Sequence, residues 1–387
     1  MRFMRLGESV ESNIFNILNE RKRALAARGV DTIDLSIGTP DFAPAEHVMR
    51  AVSEAALHPE NYKYSLRNTD GLTAAVQRWY DRRYGVRLEA DEIMSVAGSQ
   101  EGIAHVCFPF VRPGELVLAP DPGYPIFSFG PMMAGAELGL YPLYAEKGWI
   151  LDFADIPDDV ADRAKLMIAS YPNNPTAVCA DTAFYERLIA FAKAHDIIIL
   201  HDNAYSDLMF DGRRGISFLS VPGAKDVGAE FNSLSKTYNL TGMRVSFLVG
   251  SREIVQKFNA FRSQIDYGMF LPAQAGAQAA LDGPQDLVEQ NRAGYEARRN
   301  ALCGGLRSVG WQVPDAEGSM FVWAKIPEKF TKSADFVLEL MDRTGVICVP
   351  GLSFGEGGEG YVRFALTAPV ARMEEAVRRI GASGLLD

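Results

Sequence analysis

Short apolar runs alternate along the chain with longer amphipathic ones. IDLSI (33–37), IMSV (93–96), LVLA (116–119), LMIAS (166–170), IIILH (197–201), EFNSL (230–234) and VSFLVG (245–250) are apolar, partly β-branched and bounded by polar or turn residues. That is the pattern of buried strands. Between several of them lie helical periods, as over 182–194, where Phe184, Leu188, Ile189 and Ala192 share a face. Strand–helix alternation predicts an α/β fold, a mostly parallel sheet with helices on both sides. Ligands of such sheets sit at the carboxyl ends of the strands. After about residue 284 the pattern changes: a long helix over 284–309, strands in SMFVWAKI (319–326), GVICVP (345–350) and YVRFAL (361–366), then a last helix from about Pro369. This predicts a smaller α+β unit, joined in space by the N-terminal forty residues, with a boundary near 280–295.

Composition narrows the function. A chain of 387 residues makes two or three structural units at roughly 100–200 residues each. With 48% hydrophobic and 23% charged residues, the whole chain is neither disordered, collagenous nor a coiled coil. Thirty-nine basic against 49 acidic residues give a net charge of −10, which argues against nucleic acid or an anionic membrane as partner and leaves room for a local basic pocket. Cys107, Cys179, Cys303 and Cys348 lie far apart, so there is no CxxC pair, and buried thiols are expected rather than a disulfide framework. MRFMRLGESVESNIF holds no apolar run long enough for a signal peptide. No stretch approaches the roughly 20 apolar residues of a membrane span. A cytoplasmic protein is expected.

Two motifs mislead. Gly355, Gly357 and Gly360 spell GxGxxG, but a strand follows them where a dinucleotide site opens a helix, so a glycine turn is expected. His201 beside Asp202 resembles a metal pair, yet neighbours on a strand point to opposite faces.

Four segments put polar groups at strand ends. NSLSKTYNLTGMR (232–244) carries Ser233, Ser235, Lys236 and Arg244. A lysine desolvated there has a lowered pKa and a nucleophilic amine; taken alone it also reads as an exposed loop lysine. HDNAYSDL (201–208) places Asp202 at the end of a buried strand, where an acid needs a cation such as a pyridinium nitrogen, unless it is a helix cap. Tyr205 follows, able to donate to a phenolate oxygen. SYPNNPTA (170–177) presents Asn174 at a strand end for the same oxygen, or makes only a turn. VAGSQEGIAHV (96–106) opens a helix whose N–H groups and Ser99 hydroxyl suit a phosphate, or form an ordinary N-terminus. Arg244 would complete that cradle with Ser233 and Ser235. An amine for an aldehyde, an acid for a pyridine nitrogen, donors for a phenolate and a phosphate cradle together match pyridoxal 5′-phosphate.

SLSKTYNLTGMR, YPNNPT, HDNAYSDL, IGTPDF (37–42), DPGYP (121–125) and YVRFAL resemble the class I/II aminotransferases of fold type I, in consistent order from about Leu35 to the C-terminus. The resemblance implies a fold type I pyridoxal-phosphate-dependent transferase: a large cofactor-binding domain (46–284) with a mostly parallel central sheet flanked by helices, a small α+β domain (285–387), and an N-terminal segment (1–45) packing with the small domain. It implies that Lys236 bonds the cofactor, Asp202 binds its ring nitrogen, Tyr205 and Asn174 bind its phenolate oxygen, and Tyr124 stacks on its ring. Ser99, Gln100, Ser233, Ser235 and Arg244 would hold the phosphate. Arg363 would clamp the substrate α-carboxylate as a bidentate fork, with Gly38 and Asn174 beside it. Tyr64 would reach the neighbouring active site of a homodimer. Two departures stand out: Ala177 where the family usually has glycine, and Met243 where it usually has tryptophan.

The activity implied is ping-pong transamination between an L-amino acid and a 2-oxo acid. Glutamate/2-oxoglutarate is expected as one pair, with alanine/pyruvate or LL-diaminopimelate as the other and methionine or aromatic donors next. In the diaminopimelate group a tyrosine is usual where this chain aligns Asn13. Rival readings are a carbon–sulfur β-lyase using the same cofactor and a regulator fused to a DNA-binding domain. The start of IGTPDF at residue 37 and the acidic chain speak against the regulator.

Overall fold

The computed structural model describes residues 14–387; Asn13 lies outside the described residues. After a short β1 (Ile33–Asp34), seven strands form the central sheet: β2 (Ile93–Val96), β3 (Leu116–Asp121), β4 (Glu137–Pro142), β5 (Ala164–Ser170), β6 (Ile198–Asp202), β7 (Gly228–Ser233) and β8 (Ser246–Gly250). Their order is β2-β8-β7-β6-β5-β3-β4. Strands β7, β6, β5, β3 and β4 run parallel, and β8 runs antiparallel to both its neighbours. The runs are apolar throughout because both faces are covered. On β5, Leu166 and Ile168 enter the core on one side, Met167 and Ala169 the core on the other; on β8, Leu248 opposes Phe247 and Val249.

A second core lies beyond the sheet. Strands β9 (Phe321–Lys325), β10 (Val346–Ile347), β11 (Val349–Pro350) and β12 (Tyr361–Ala365) follow. They form a three-stranded antiparallel sheet, β11-β12-β9, and a parallel pair of β1 with β10. The helices Asp286–Ser308, Ser333–Thr344 and Val370–Gly381 pack on them. Leu18 and Leu25 of the helix Ile14–Ala27, then Ile33 and Leu35, join the same core, as do Tyr205, Leu208 and Phe210 from the segment after β6.

Three differences from the sequence pattern have local causes. The run IDLSI is a strand only over Ile33–Asp34; Leu35 still donates to Ile347 O at 2.8 Å and accepts from the Ala365 N–H at 2.7 Å, and the run ends where the Asp34 carboxylate accepts the Ser36 N–H at 3.0 Å and its hydroxyl at 2.6 Å. Strand β4 escapes detection because an edge strand holding Gly139 and Pro142, half open to solvent, carries little apolar signal. GVICVP divides at Cys348, which hands the chain from β1 to β12. Among the described residues no helix is long and apolar enough to cross a membrane.

Candidate active site

Strand direction gathers the site. The carboxyl ends of β2, β3, β5, β6 and β7 lie at one edge of the sheet, and there the chain delivers Ser99, Tyr124, Asn174, Asp202 and Lys236. Because β8 is antiparallel, its beginning lies at that same edge and brings Arg244. The small sheet closes the cavity with Arg363 from β12 and Phe321 from β9, and the segment after β1 adds Gly38. The resulting cavity measures about 450 Å³. Of the residues singled out from sequence, Gly38, Ser99, Gln100, Tyr124, Asn174, Asp202, Tyr205, Ser233, Ser235, Lys236, Arg244 and Arg363 all line it. Tyr64 does not. It lies 78% exposed beside Tyr267, their rings 4.8 Å apart, in a separate depression with Tyr62 and Phe270.

The Lys236 amine donates to the Gly38 carbonyl at 2.6 Å. Burial, with the positive charges of Arg363 and Arg244, lowers its pKa to about 8, against the pull of Asp202. Burial, with the charge of Glu230, raises the Asp202 carboxyl to about 7. Among the described residues its Oδ1 is buried without a hydrogen-bond partner. Asn173 builds the turn after β5: its Oδ1 accepts the Thr176 N–H at 3.0 Å and hydroxyl at 2.9 Å, and its Nδ2 donates to Ser170 O at 3.1 Å. Asn174 is left to face the cavity. Its Oδ1 accepts from Arg363 Nη1 at 2.8 Å, and its side chain meets the Tyr205 hydroxyl, which burial holds above its ordinary pKa.

Arg363 Nη2 donates to Ser36 O at 3.0 Å, and its guanidinium carbon lies 4.1 Å from the Phe321 ring centroid and 4.6 Å from that of Phe354. Its Nε is buried without a partner among the described residues. Burial lowers its pKa to about 10. On the other side of the cavity, Ser246 Oγ donates to Ser233 Oγ at 2.8 Å and Ser99 Oγ to Ser246 Oγ at 3.3 Å. Arg244, at φ +57°, donates to Thr241 O at 2.9 Å and Ala97 O at 3.2 Å. Its guanidinium fills the space a side chain at Gly98 would need. The Tyr124 hydroxyl donates to Gln100 Oε1 at 2.8 Å.

Several contributors went unnoticed in the sequence. Ser246 bridges two hydroxyls, Ser36 supplies a carbonyl, and the rings of Phe321 and Phe354 both pack against the guanidinium. None differs in sequence from a core or loop residue. Glu230 carries a readable signal, an acid in the middle of an apolar strand, and it presses on Asp202 from behind.

An acid with an unmet oxygen, a depressed amine and an arginine with an unmet N–H converge on a cavity rimmed by serine hydroxyls and a second arginine. This donor set fits pyridoxal 5′-phosphate, which needs an acid for a ring nitrogen, an amine for an aldehyde and donors for a phosphate.

The model of the family "Aminotransferase class I and II" matches residues 30–380. An LL-diaminopimelate aminotransferase of Moorella thermoacetica is 43% identical, over 93% of this chain and 93% of that protein. The substrate-bound structure of BacF from Bacillus subtilis superposes with a TM-score of 0.94 at 35% identity, covering 99% of this chain and 98% of that one. A probable N-succinyldiaminopimelate aminotransferase from Thermus thermophilus gives a TM-score of 0.91 at 34% identity, covering 96% of this chain and all of that one.

Proposed function

The chain belongs to the class I and II aminotransferases, and from that membership we propose that Lys236 is the cofactor-bonding residue and proton carrier of its active site. It is an enzyme that uses pyridoxal 5′-phosphate to move an amino group between an amino acid and a 2-oxo acid. When bound, the cofactor supplies an aldehyde carbon for the amino group and a ring that withdraws electrons from the substrate.

The chain supplies the rest. The Lys236 amine, held low by burial, takes the proton from the substrate Cα and returns it on the cofactor side. The Asp202 carboxylate holds the ring nitrogen's proton in place; its unmet Oδ1 supports this role most directly. The Tyr205 hydroxyl and the Asn174 amide would hold the ring oxygen, and Tyr124 would stack on the ring. Ser99, Gln100, Ser233, Ser235 and Arg244 hold the phosphate. Arg363 grips the substrate carboxylate and exchanges part of its present bonding to Asn174 and Ser36 for it, with Gly38 closing the site behind Lys236.

The large cofactor-binding domain spans 46–284 and the small domain 285–387, and the N-terminal segment belongs with the small one, as the packing of Leu18, Leu25, Ile33 and Leu35 in its core supports. Two chains form a homodimer in which Tyr64 reaches the partner's cavity. Its exposure, in a patch with Tyr62, Tyr267 and Phe270, supports this. Four thiols without a disulfide fit a cytoplasmic location.

LL-diaminopimelate is the proposed amino acid, with 2-oxoglutarate as acceptor; the likeness to the Moorella LL-diaminopimelate aminotransferase carries this choice. Purified enzyme offered LL-diaminopimelate, alanine, methionine and phenylalanine, each with 2-oxoglutarate and pyruvate, is expected to turn over LL-diaminopimelate with 2-oxoglutarate at the highest kcat/KM. Preference for alanine with 2-oxoglutarate would overturn the substrate choice. Pyruvate and ammonia released from cystathionine without an oxo-acid acceptor would mark a lyase.

A further inference from the structure

The glycine run that imitates a dinucleotide fingerprint has another partner. It faces Asp121, the last residue of β3. The Gly357 N–H donates to Asp121 Oδ1 at 2.9 Å. At Gly355, where φ is +119°, an added Cβ would lie 2.9 Å from the Asp121 carboxyl carbon; at Gly357 it would lie 3.0 Å from the Asp121 carbonyl oxygen. The carboxylate is thus seated in a hollow that only glycines leave open. A second bond pins the same seam: the Gly123 N–H donates to Phe354 O at 2.7 Å.

What lies on each side of this seam gives it meaning. Three residues beyond Asp121 is Tyr124, which lines the active-site cavity. Directly before the pinned turn is Phe354, only 5% exposed, whose ring centroid lies 4.6 Å from the Arg363 guanidinium carbon, with that of Phe321 at 4.1 Å. A planar fork recognises a carboxylate only if its plane is held. Here one wall of the holder belongs to a turn anchored across the seam.

We propose that Asp121 is a positioning residue: by seating the glycine turn 355–358 against the end of β3, it holds Phe354 under Arg363 and so aims the guanidinium at the substrate carboxylate. The proposal rests on the reading of Arg363 as the carboxylate clamp. Asp121 itself does not line the cavity.

The test uses holoenzyme with LL-diaminopimelate as amino donor, 2-oxoglutarate as the accepting acid, and thermal melting in parallel. Asp121→Ala is expected to raise KM for both acids about tenfold while kcat stays within about threefold, the split of an interaction lost in binding. Asp121→Asn keeps an oxygen for the Gly357 N–H and is expected to restore KM to within about twofold. Phe354→Leu is expected to raise KM similarly, and the double variant Asp121→Ala/Phe354→Leu to be no worse than the poorer single one, because both act through one path. Should Asp121→Ala not fold, Asp121→Ser takes its place with the same expected split.

An unchanged KM in Asp121→Ala, no rescue by Asp121→Asn, or effects that multiply in the double variant would each overturn the proposal. Arg363→Lys separates the two levels. If it raises KM and Asp121→Ala does not, only the positioning role falls; if it leaves KM unchanged, the clamp falls and the positioning role with it.

Discussion

His201 and Asp202 are adjacent on β6, both buried, and they live in opposite worlds. His201 lies 3.1 Å from Glu230 Oε2 and 3.0 Å from the Tyr185 hydroxyl. Glu230 accepts further from the Ser217 hydroxyl at 2.8 Å, the Phe218 N–H at 2.9 Å and the Tyr80 hydroxyl at 3.1 Å. Every charge in that cluster has its partners inside the fold. One residue on, across the sheet, Asp202 keeps an oxygen with no partner and Lys236 is held as a weak base. A satisfied buried polar network belongs to the structure, and an unsatisfied one that opens on a cavity belongs to a ligand. Composition and hydropathy treat the two residues alike; the strand pleat alone separates them.

The largest expected effect breaks the cavity side. Lys236→Ala is expected to lower kcat by about 10⁴-fold or more, since general-base transfer alone is worth up to about that much, and to abolish the visible absorbance of lysine-bound cofactor. Its melting temperature is expected to stay close to wild type, because the lysine's one hydrogen bond, to Gly38 O, is offset by relief of its desolvation. A variant that keeps both turnover and spectrum would dissolve the functional half of the comparison.

The mirror experiment is Glu230→Ala. It strands His201, Tyr80, Ser217 and the Phe218 N–H in the core, and is expected to cost about 3–5 kcal/mol of stability in denaturant unfolding. Per folded molecule, kcat is expected to fall far less than in Lys236→Ala. A Glu230→Ala protein as stable as wild type would show that the network is not holding the sheet.

Asp202→Asn sharpens the contrast because its two readouts move in opposite directions. In the folded protein the Asp202 carboxyl titrates near 7, above its usual 3.8. Folding therefore opposes its ionisation, and that cost grows as pH rises from about 4 through about 7. Without cofactor, Asp202→Asn is expected to be the more stable protein at pH 8, on the order of a few kcal/mol by the size of the displacement, and the gap is expected to close as pH falls toward 4. The same variant is expected to lose roughly 10²-fold or more in turnover. Equal stability at both pH values would mean that the carboxylate is not strained by burial.

The fold was legible where burial is two-sided. The continuous apolar strands β5, β6 and β8 and the long helix Asp286–Ser308 stand within a few residues of their sequence limits. The edge strand β4 was not, because half-exposed residues carry no apolar run. The site was legible for residues whose chemistry is odd for their setting: a lysine beside a strand, an acid at its end, an arginine within YVRFAL. It was illegible for Ser246, Phe321 and Phe354, which are ordinary residues made useful by what they touch. Asp121 and the glycine turn lie between these cases, since both motifs were visible but their meeting spans 236 residues of chain.

The smallest effect concerns strain, a second and less reliable marker of function. Ala177 occupies the left-handed region at φ +61° and is 1% exposed, its N–H closing the turn onto Asn173 O at 3.0 Å. The glycine that the family resemblance implies at this position would thus have a backbone reason rather than a chemical one. Ala177→Gly relieves roughly 1–2 kcal/mol of left-handed strain. It gives up about 0.8 kcal/mol of buried methyl and about 0.4–1 kcal/mol of unfolded-chain entropy. These terms nearly cancel, so the melting temperature is expected to move by no more than a degree or two, with KM unchanged because Asn173, not residue 177, orients Asn174. Were KM to shift markedly, the strained turn would count among the parts that aim Asn174 at its partners, and strain would join unmet hydrogen bonds as a sign of the site.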